Sequence, residues 1–209
     1  MNCLLIESQY FGTINYYKKL IESNNIQIEA HDYFVKMSFR NRTVIPGANG
    51  LIQLTVPIEN GRNHKQLMHV AKISYRENWI SQHIRSIDSC YNRAPFFEYY
   101  RDDLFNILNK KHECLLELNM ELLNWLLKQC KINLNLQLTD SFQANYLPPV
   151  IDYRNQILPK NYQHSDVGNL KYLQVFEDRI GFKSNMSIID LLFCAGPTAV
   201  NLLTSNENQ

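Results

Sequence analysis

Four residues in the segment "KMSFRNRTVIPGANG" (residues 36–50) have the types and spacing to hold an anion. Lys36, Ser38, Arg40 and Arg42 fall at every second position, so on an extended strand they share one face, with Val35, Met37 and Phe39 on the other. Guanidinium groups make planar, paired hydrogen bonds to phosphate or carboxylate. Each charged hydrogen bond of this kind is worth roughly 1.5–3 kcal/mol. The same spacing also suits a solvated edge strand whose charges prevent pairing with a second sheet. On spacing alone the two readings weigh equally. Asn41 and Asn49, polar groups close to the cations, favour a ligand.

Other candidate groups lie further along. Trp79 and His83 are one helical turn apart, an aromatic shelf beside a titratable imidazole that could serve as a general base. The competing reading is a core histidine in a helix packed on two sides. Asp32 follows His31 directly, an acid next to an imidazole, although neighbours on a strand point to opposite faces. Asn119 interrupts the stripe Leu115, Leu118, Leu122, Trp125, Leu126; a buried amide there needs partners and could orient a loop or a ligand. Asp190 reads as a helix-capping residue. The histidines have no metal-site spacing, and no nucleotide-binding glycine loop or nucleophile elbow is present, so neither a metal nor a cofactor is expected.

The elements that must position these groups follow from periodicity and turn chemistry. "CLLI" (residues 3–6) suits a buried strand, residues 13–23 a helix and "IQIEA" a strand, the opening of an α/β domain. Alternation on both sides of Pro46–Gly50 predicts a β-hairpin whose first arm carries the cationic face. "LMHVAKIS" is expected to be a strand. A capping box at Ser74 and Glu77 predicts a helix to about Tyr91 with Ile80, Ile84, Ile87 and Tyr91 inward. Another helix should begin near Pro95, and the Leu-rich segment from 115 is the most periodic. "INLNLQL" alternates as a strand. From 139 to 170 the pattern fails, which leaves a lid, an arm or an element too short to see. Gly181 should stop a short helix, and a Ser187–Asp190 box should open an apolar helix ended by Gly196-Pro197. The expected fold is α/β, one domain over 1–205 with a mixed sheet, a hairpin, flanking helices and a C-terminal helical segment, then a disordered tail at 206–209.

The chain has 209 residues, 45% hydrophobic and 20% charged, with a formal net charge of +1. That balance supplies no global field for nucleic acid or an acidic membrane, so any cationic site is local. Five cysteines, an odd number without C-x-x-C spacing, suit a reduced cytoplasmic protein, and no signal peptide or membrane span is apparent. The sequence is silent on oligomeric state.

Several stretches taken together resemble the WbqC-like proteins of bacteria, most closely a short form found in Bacteroidetes: "YFGTINYYKKLI", "HDYFVKMSFRNRTVIPGANGLIQLTVPI", "ISYRENWISQHIRSIDSCYNRAPFFEYY", "LNMELLNWLL" and "GFKSNMSIIDLLFCAGP". The family pattern falls on Asp32, Lys36, Ser38, Arg40, Asn41, Arg42, Asn49, Gly50, Trp79, His83, Tyr91, Asn119, Asn185 and Asp190. Members are named for genes of O-antigen and other surface-polysaccharide clusters. The resemblance therefore implies an enzyme, a transferase, acting on a phosphate-bearing nucleotide sugar or an acyl or aminoacyl donor. Lys36, Ser38, Arg40, Asn41, Arg42, Asn49, Trp79, Tyr91 and Asn119 would bind, with His83 or Asp32 moving protons. The alternative is a non-catalytic anion- or partner-binding assembly protein. The expected partner is a phosphorylated small molecule, not nucleic acid or membrane. Two departures stand out: Gly12-Thr13 replaces the prolines usual after the first strand, and the 139–170 stretch lacks the Gly-rich segment of longer members.

Overall fold

The computed structural model describes residues 3–23, 25–59, 65–164 and 170–204. His64 and the expected tail at 206–209 lie outside the described residues. β1 (Cys3–Glu7) is buried on both faces: Leu4 and Leu5 are 0% exposed and Ile6 1%. An unbroken apolar run is what a parallel strand covered by helices requires. α1 (Ile14–Ile21), with Ile14, Tyr17 and Leu20 inward, carries the chain to β2 (Asn25–Glu29), which pairs parallel to β1 with Glu7 opposite Glu29.

The hairpin follows as β3 (Arg42–Gly47) and β4 (Gly50–Thr55), antiparallel, with Arg42 opposite Thr55. Gly47 faces Gly50 across the two-residue turn Ala48-Asn49, and Gly50 sits at φ 127°, where a side chain is strained. Three helices come next: α2 (Trp79–Tyr91), α3 (Phe97–Asn109) and α4 (Leu115–Gln129). β5 (Asn135–Leu138) then pairs parallel to β2, and β6 (Val150–Asp152) parallel to β1. α5 (Glu177–Ile180), α6 (Ile188–Ala195) and α7 (Ala199–Thr204) complete the described chain.

The class is α/β as expected, with parallel and antiparallel pairing divided between two sheets. The parallel sheet has the order β5-β2-β1-β6. β1 thus lies between β2 and β6, and the residues after β6 pass back over the carboxyl ends of β1 and β2, where Asn155 meets Glu7 and Arg154 meets Glu29. The stretch after Thr139, patternless in sequence, holds the strand that completes this arrangement. At three residues it is too short for alternation to show.

Four local expectations are corrected. Residues 36–41 form turns, not the first arm of the hairpin, which begins at Arg42. Met37 is at φ 57°, which breaks an extended run. The segment's bonds go elsewhere than to a ladder partner: the Tyr10 N–H donates to the Phe39 carbonyl (2.9 Å) and the Ser38 hydroxyl to the Val35 carbonyl (2.6 Å). "LMHVAKIS" is a 3-10 turn (Met68–Val70) followed by single bridges, because its partners are irregular loops. α2 is capped by Asn78, whose side chain accepts from the Ser81 N–H, rather than by Ser74. At α6 the Ser187 hydroxyl donates to the Phe11 carbonyl, and Asp190 turns inward instead of closing a capping box.

Gly181 ends α5 at φ 69° and Gly196 ends α6 at φ 56°. A Cβ at Gly196 would stand 2.4 Å from the Phe96 ring, whereas at Gly181 it meets nothing within 4 Å. Gly181→Ala should cost about 1–3 kcal/mol, because φ 69° with ψ 163° is a backbone conformation essentially confined to glycine. Gly196→Ala should cost about 1–3 kcal/mol more from overpacking, and urea denaturation of the two variants will measure the difference.

Candidate functional site

A cleft of about 860 Å³ opens where the 36–42 turns, the end of β4 and residues 74–77 ahead of α2 meet. Lys36, Asn41, Arg42, Thr55, Arg76 and Glu77 line it. Of the four residues expected on one strand face, Lys36 and Arg42 reach this cleft and Ser38 and Arg40 do not. Arg42 is half-buried, and burial lowers its pKa below the ordinary arginine value. Its Nη1 donates to the Met37 sulfur (3.3 Å), while its Nε is shut off from solvent without an acceptor among the described residues. Next to it, the Asn41 amide donates to the Val56 carbonyl (2.7 Å), and its own Oδ1 is buried without a donor among them. One unmet donor and one unmet acceptor therefore sit on adjacent residues of the cleft wall. Arg40 Nε and Asn119 Oδ1, away from this cleft, are buried and unpartnered among the described residues in the same way.

Arg40 turns inward instead. It is 0% exposed; Nη2 donates to Asp32 Oδ2 (2.7 Å) and Nη1 to Asn155 Oδ1 (2.8 Å), while its Nε, like that of Arg42, is buried without an acceptor among the described residues. The Asn155 N–H donates to Glu7 Oε2 (2.8 Å), whose other oxygen accepts from the Gln9 amide (3.0 Å). Glu29, the last residue of β2, accepts from the Thr139 hydroxyl (2.8 Å) and from Arg154 Nη1 (2.9 Å). Arg154 also forks onto Asp152 and lies against the Phe142 and Tyr146 rings (5.2 and 5.3 Å). This network closes the carboxyl end of the parallel sheet. Glu7, Glu29, Asp152, Arg154 and Asn155 were not singled out from sequence. The signal for the two glutamates was available, since each is a charge ending a buried strand.

The remaining candidates are dispersed. His83 is buried, with Nδ1 2.9 Å from the Tyr10 hydroxyl and a hydrogen bond to the Thr55 backbone, one bond behind the cleft wall. Burial pushes its pKa down to about 4, so the ring is neutral. Trp79, 3% exposed and edge-on to His83, offers no open shelf to a ligand ring. Neither His83 nor Asp32 lines the cleft. Tyr91 is buried and donates to Asp190 Oδ1 (2.9 Å). Asp190 also takes hydrogen bonds from Tyr172 and Gln174, and desolvation raises it to about 6 against those bonds. Asn119 donates to Ser8 Oγ (3.2 Å) and to the Arg40 carbonyl (2.8 Å), orienting the loop that bears Arg40. Asn49 is at the exposed hairpin tip and borders a different cleft. Among the described residues no cluster of His, Cys, Asp or Glu could hold a metal ion, and no helix is long and apolar enough to cross a membrane.

The model of the WbqC-like protein family matches residues 7–169, a span that includes the cleft and the charged network but not the 181–197 stretch. The chain belongs to the WbqC-like protein family. It is also 28% identical over 122 residues to the uncharacterized protein Rv1507c of Mycobacterium tuberculosis, a match covering 57% of this chain and 52% of that one. The chain thus spans about half the length of this curated relative. No solved structure matches it significantly.

Two predictions follow from this geometry. Arg40→Ala leaves the Asp32 carboxylate without its buried partner and should cost about 3–5 kcal/mol; Arg42→Ala should change stability by less than about 1 kcal/mol. Chemical denaturation distinguishes them. The second concerns pH. His83 is depressed, so in the acid range the unfolded chain binds the proton first, and its contribution, present above about pH 6.5, is lost as pH falls toward 4. Asp190 is raised, so the folded chain binds the proton first, and its contribution, present below about pH 4, is lost as pH rises through 6. The slopes oppose each other. Relative to wild type, Asp190→Asn should steepen the loss of stability on acidification from pH 6 to 4, and His83→Gln should flatten or reverse it, measured as urea midpoints at each pH.

Proposed function

We propose that this protein is a transferase of bacterial surface-polysaccharide biosynthesis that acts on a phosphate-bearing nucleotide sugar or an acyl donor, and that it holds the donor's anion in the Arg42 cleft. The observation that carries the site is the convergence of Lys36, Arg42 and Arg76 on one cleft of about 860 Å³. Guanidinium and ammonium groups recognise phosphate, the anion that sugar phosphates and nucleotides present. The volume is within the range of small-molecule sites. Arg76, exposed at the mouth, is the third cation beside Lys36 and Arg42. The carboxylate bordering the cleft is Glu77, and we assign to it the proton transfer expected of His83 or Asp32. Family membership supports the pathway, because the family takes its name from polysaccharide gene clusters.

The second reading, a non-catalytic anion- or partner-binding assembly protein, is favoured by the engagement of His83 and Asp32 in bonds within the protein. Thermal shifts with UDP-, GDP- and dTDP-sugars and acetyl-CoA test the site. A ligand at 100 times its Kd stabilises by about 2.7 kcal/mol, which for a chain of this size raises Tm by about 5–10 °C. The shift should disappear in Arg42→Ala and shrink in Asn41→Ala. No shift across the panel removes the proposal. A shift without turnover of the stabilising donor, followed as nucleotide or CoA release with and without candidate sugar acceptors, selects the second reading.

A further inference from the structure

A second cleft, of about 640 Å³, lies at the far end of the hairpin. Its walls are the β3–β4 turn, the end of α2 with the residues after it, and the start of α5. Arg93 and Arg179 enter it from different elements. Asn49, Asn92 and Ser89 add two amides and a hydroxyl, and the Phe176 ring lies half-buried at its side. Among the described residues no carboxylate lines this cleft. Neither arginine forms an ion pair with any described residue. Arg93 also borders a neighbouring hollow that holds Glu177 and Asp178. The carboxyl end of α2 contributes partial negative charge here, equivalent to roughly half an elementary charge, which offsets part of one arginine and leaves the cleft cationic. In a protein of net charge +1, two unpaired arginines in one concave site are a local concentration of charge, not a reflection of the whole surface.

The residues around these cations narrow the ligand. Guanidinium forks recognise phosphate or carboxylate. Amides and a hydroxyl pair with ring hydroxyls, and an aromatic face covers the apolar side of a ring. We propose that this cleft binds an anion carried on a hydroxyl-bearing ring, that is, a sugar phosphate or a sugar acid, at a site separate from the Arg42 cleft. β3 runs from Arg42 to Gly47, a rise of about 17 Å at the spacing of a strand, and the two clefts sit at its opposite ends. The proposal does not depend on what the Arg42 cleft binds.

The test is isothermal titration calorimetry at low ionic strength on the Arg42→Ala protein, where the first cleft is disabled whether or not it takes a ligand. The probes are glucose 1-phosphate, glucuronate, inorganic phosphate and glucose. One of the two sugar anions should bind once per chain, more tightly than inorganic phosphate or glucose, and weaken as salt is added. Which of them binds tighter separates the phosphate from the carboxylate source. Adding Arg93→Ala or Arg179→Ala should weaken that ligand about tenfold or more, the loss of one good charged contact. Both side chains are exposed, so these variants should melt with the parent; Arg93→Lys and Arg179→Lys, which keep the charge but lose the fork, provide the same comparison if they do not. The proposal is overturned if neither sugar anion binds at millimolar concentration, if binding survives both arginine substitutions, or if glucose or bare phosphate binds as tightly.

Discussion

A guanidinium with no access to water has to find its partners inside the protein, and in this fold much else depends on how Arg40 does so. Its two amino groups reach Asp32 and Asn155, and the Asn155 backbone reaches Glu7. Those contacts join the segments that follow β2 and β6 to the end of β1, at the carboxyl end of the parallel sheet. A buried pair of this kind adds little net stability compared with apolar packing, but either member alone is costly. The constraint therefore acts on geometry: it admits few paths for residues 32–42. Asn119 reinforces that path from α4 by holding the Arg40 carbonyl.

The path decides what the neighbouring cation can do. Arg40 and Arg42 are two residues apart, yet one is a lock and the other a candidate receptor. With Arg40 drawn inward, Arg42 begins the hairpin opposite Thr55 and meets the cleft half-buried. Behind the same wall, neutral His83 ties Thr55 to Tyr10, and Tyr10 in turn takes the Phe39 carbonyl. The polar residues that the family pattern gathers thus divide into supports and a smaller cleft-facing set of Lys36, Asn41 and Arg42. Binding elements held by packed second partners stay in place better than exposed side chains do.

Much of the architecture was legible from the chain. β1, α1, β2, the hairpin turn, α4, β5 and the stops at Gly181 and Gly196 follow from patterns carried by residues within one or two turns of each other. The cationic segment was also visible, as was the likeness to WbqC-like proteins. The misses share a cause. Residues 36–41 alternate like a strand, but their hydrogen bonds go to Tyr10 and to one another. β6 is too short to carry a period and exists because β1 has an open edge. Asp190 has the position of a cap and the surroundings of a core, with Tyr91, Tyr172 and Gln174 around it.

The sequence by itself determined the α/β class and the family, and it marked Lys36 to Arg42 as the candidate anion segment. Only the tertiary structure decided which of those cations is available. That depends on Asp32 and Asn155, the second of them distant in the chain, and on Asn49 lying with Arg93 and Arg179 instead of with Arg42. Periodicity and turn chemistry are local, so they can be read along a chain. The pairing of a buried charge is set by whichever groups the fold brings within about 3 Å, and that is a property of the folded state alone.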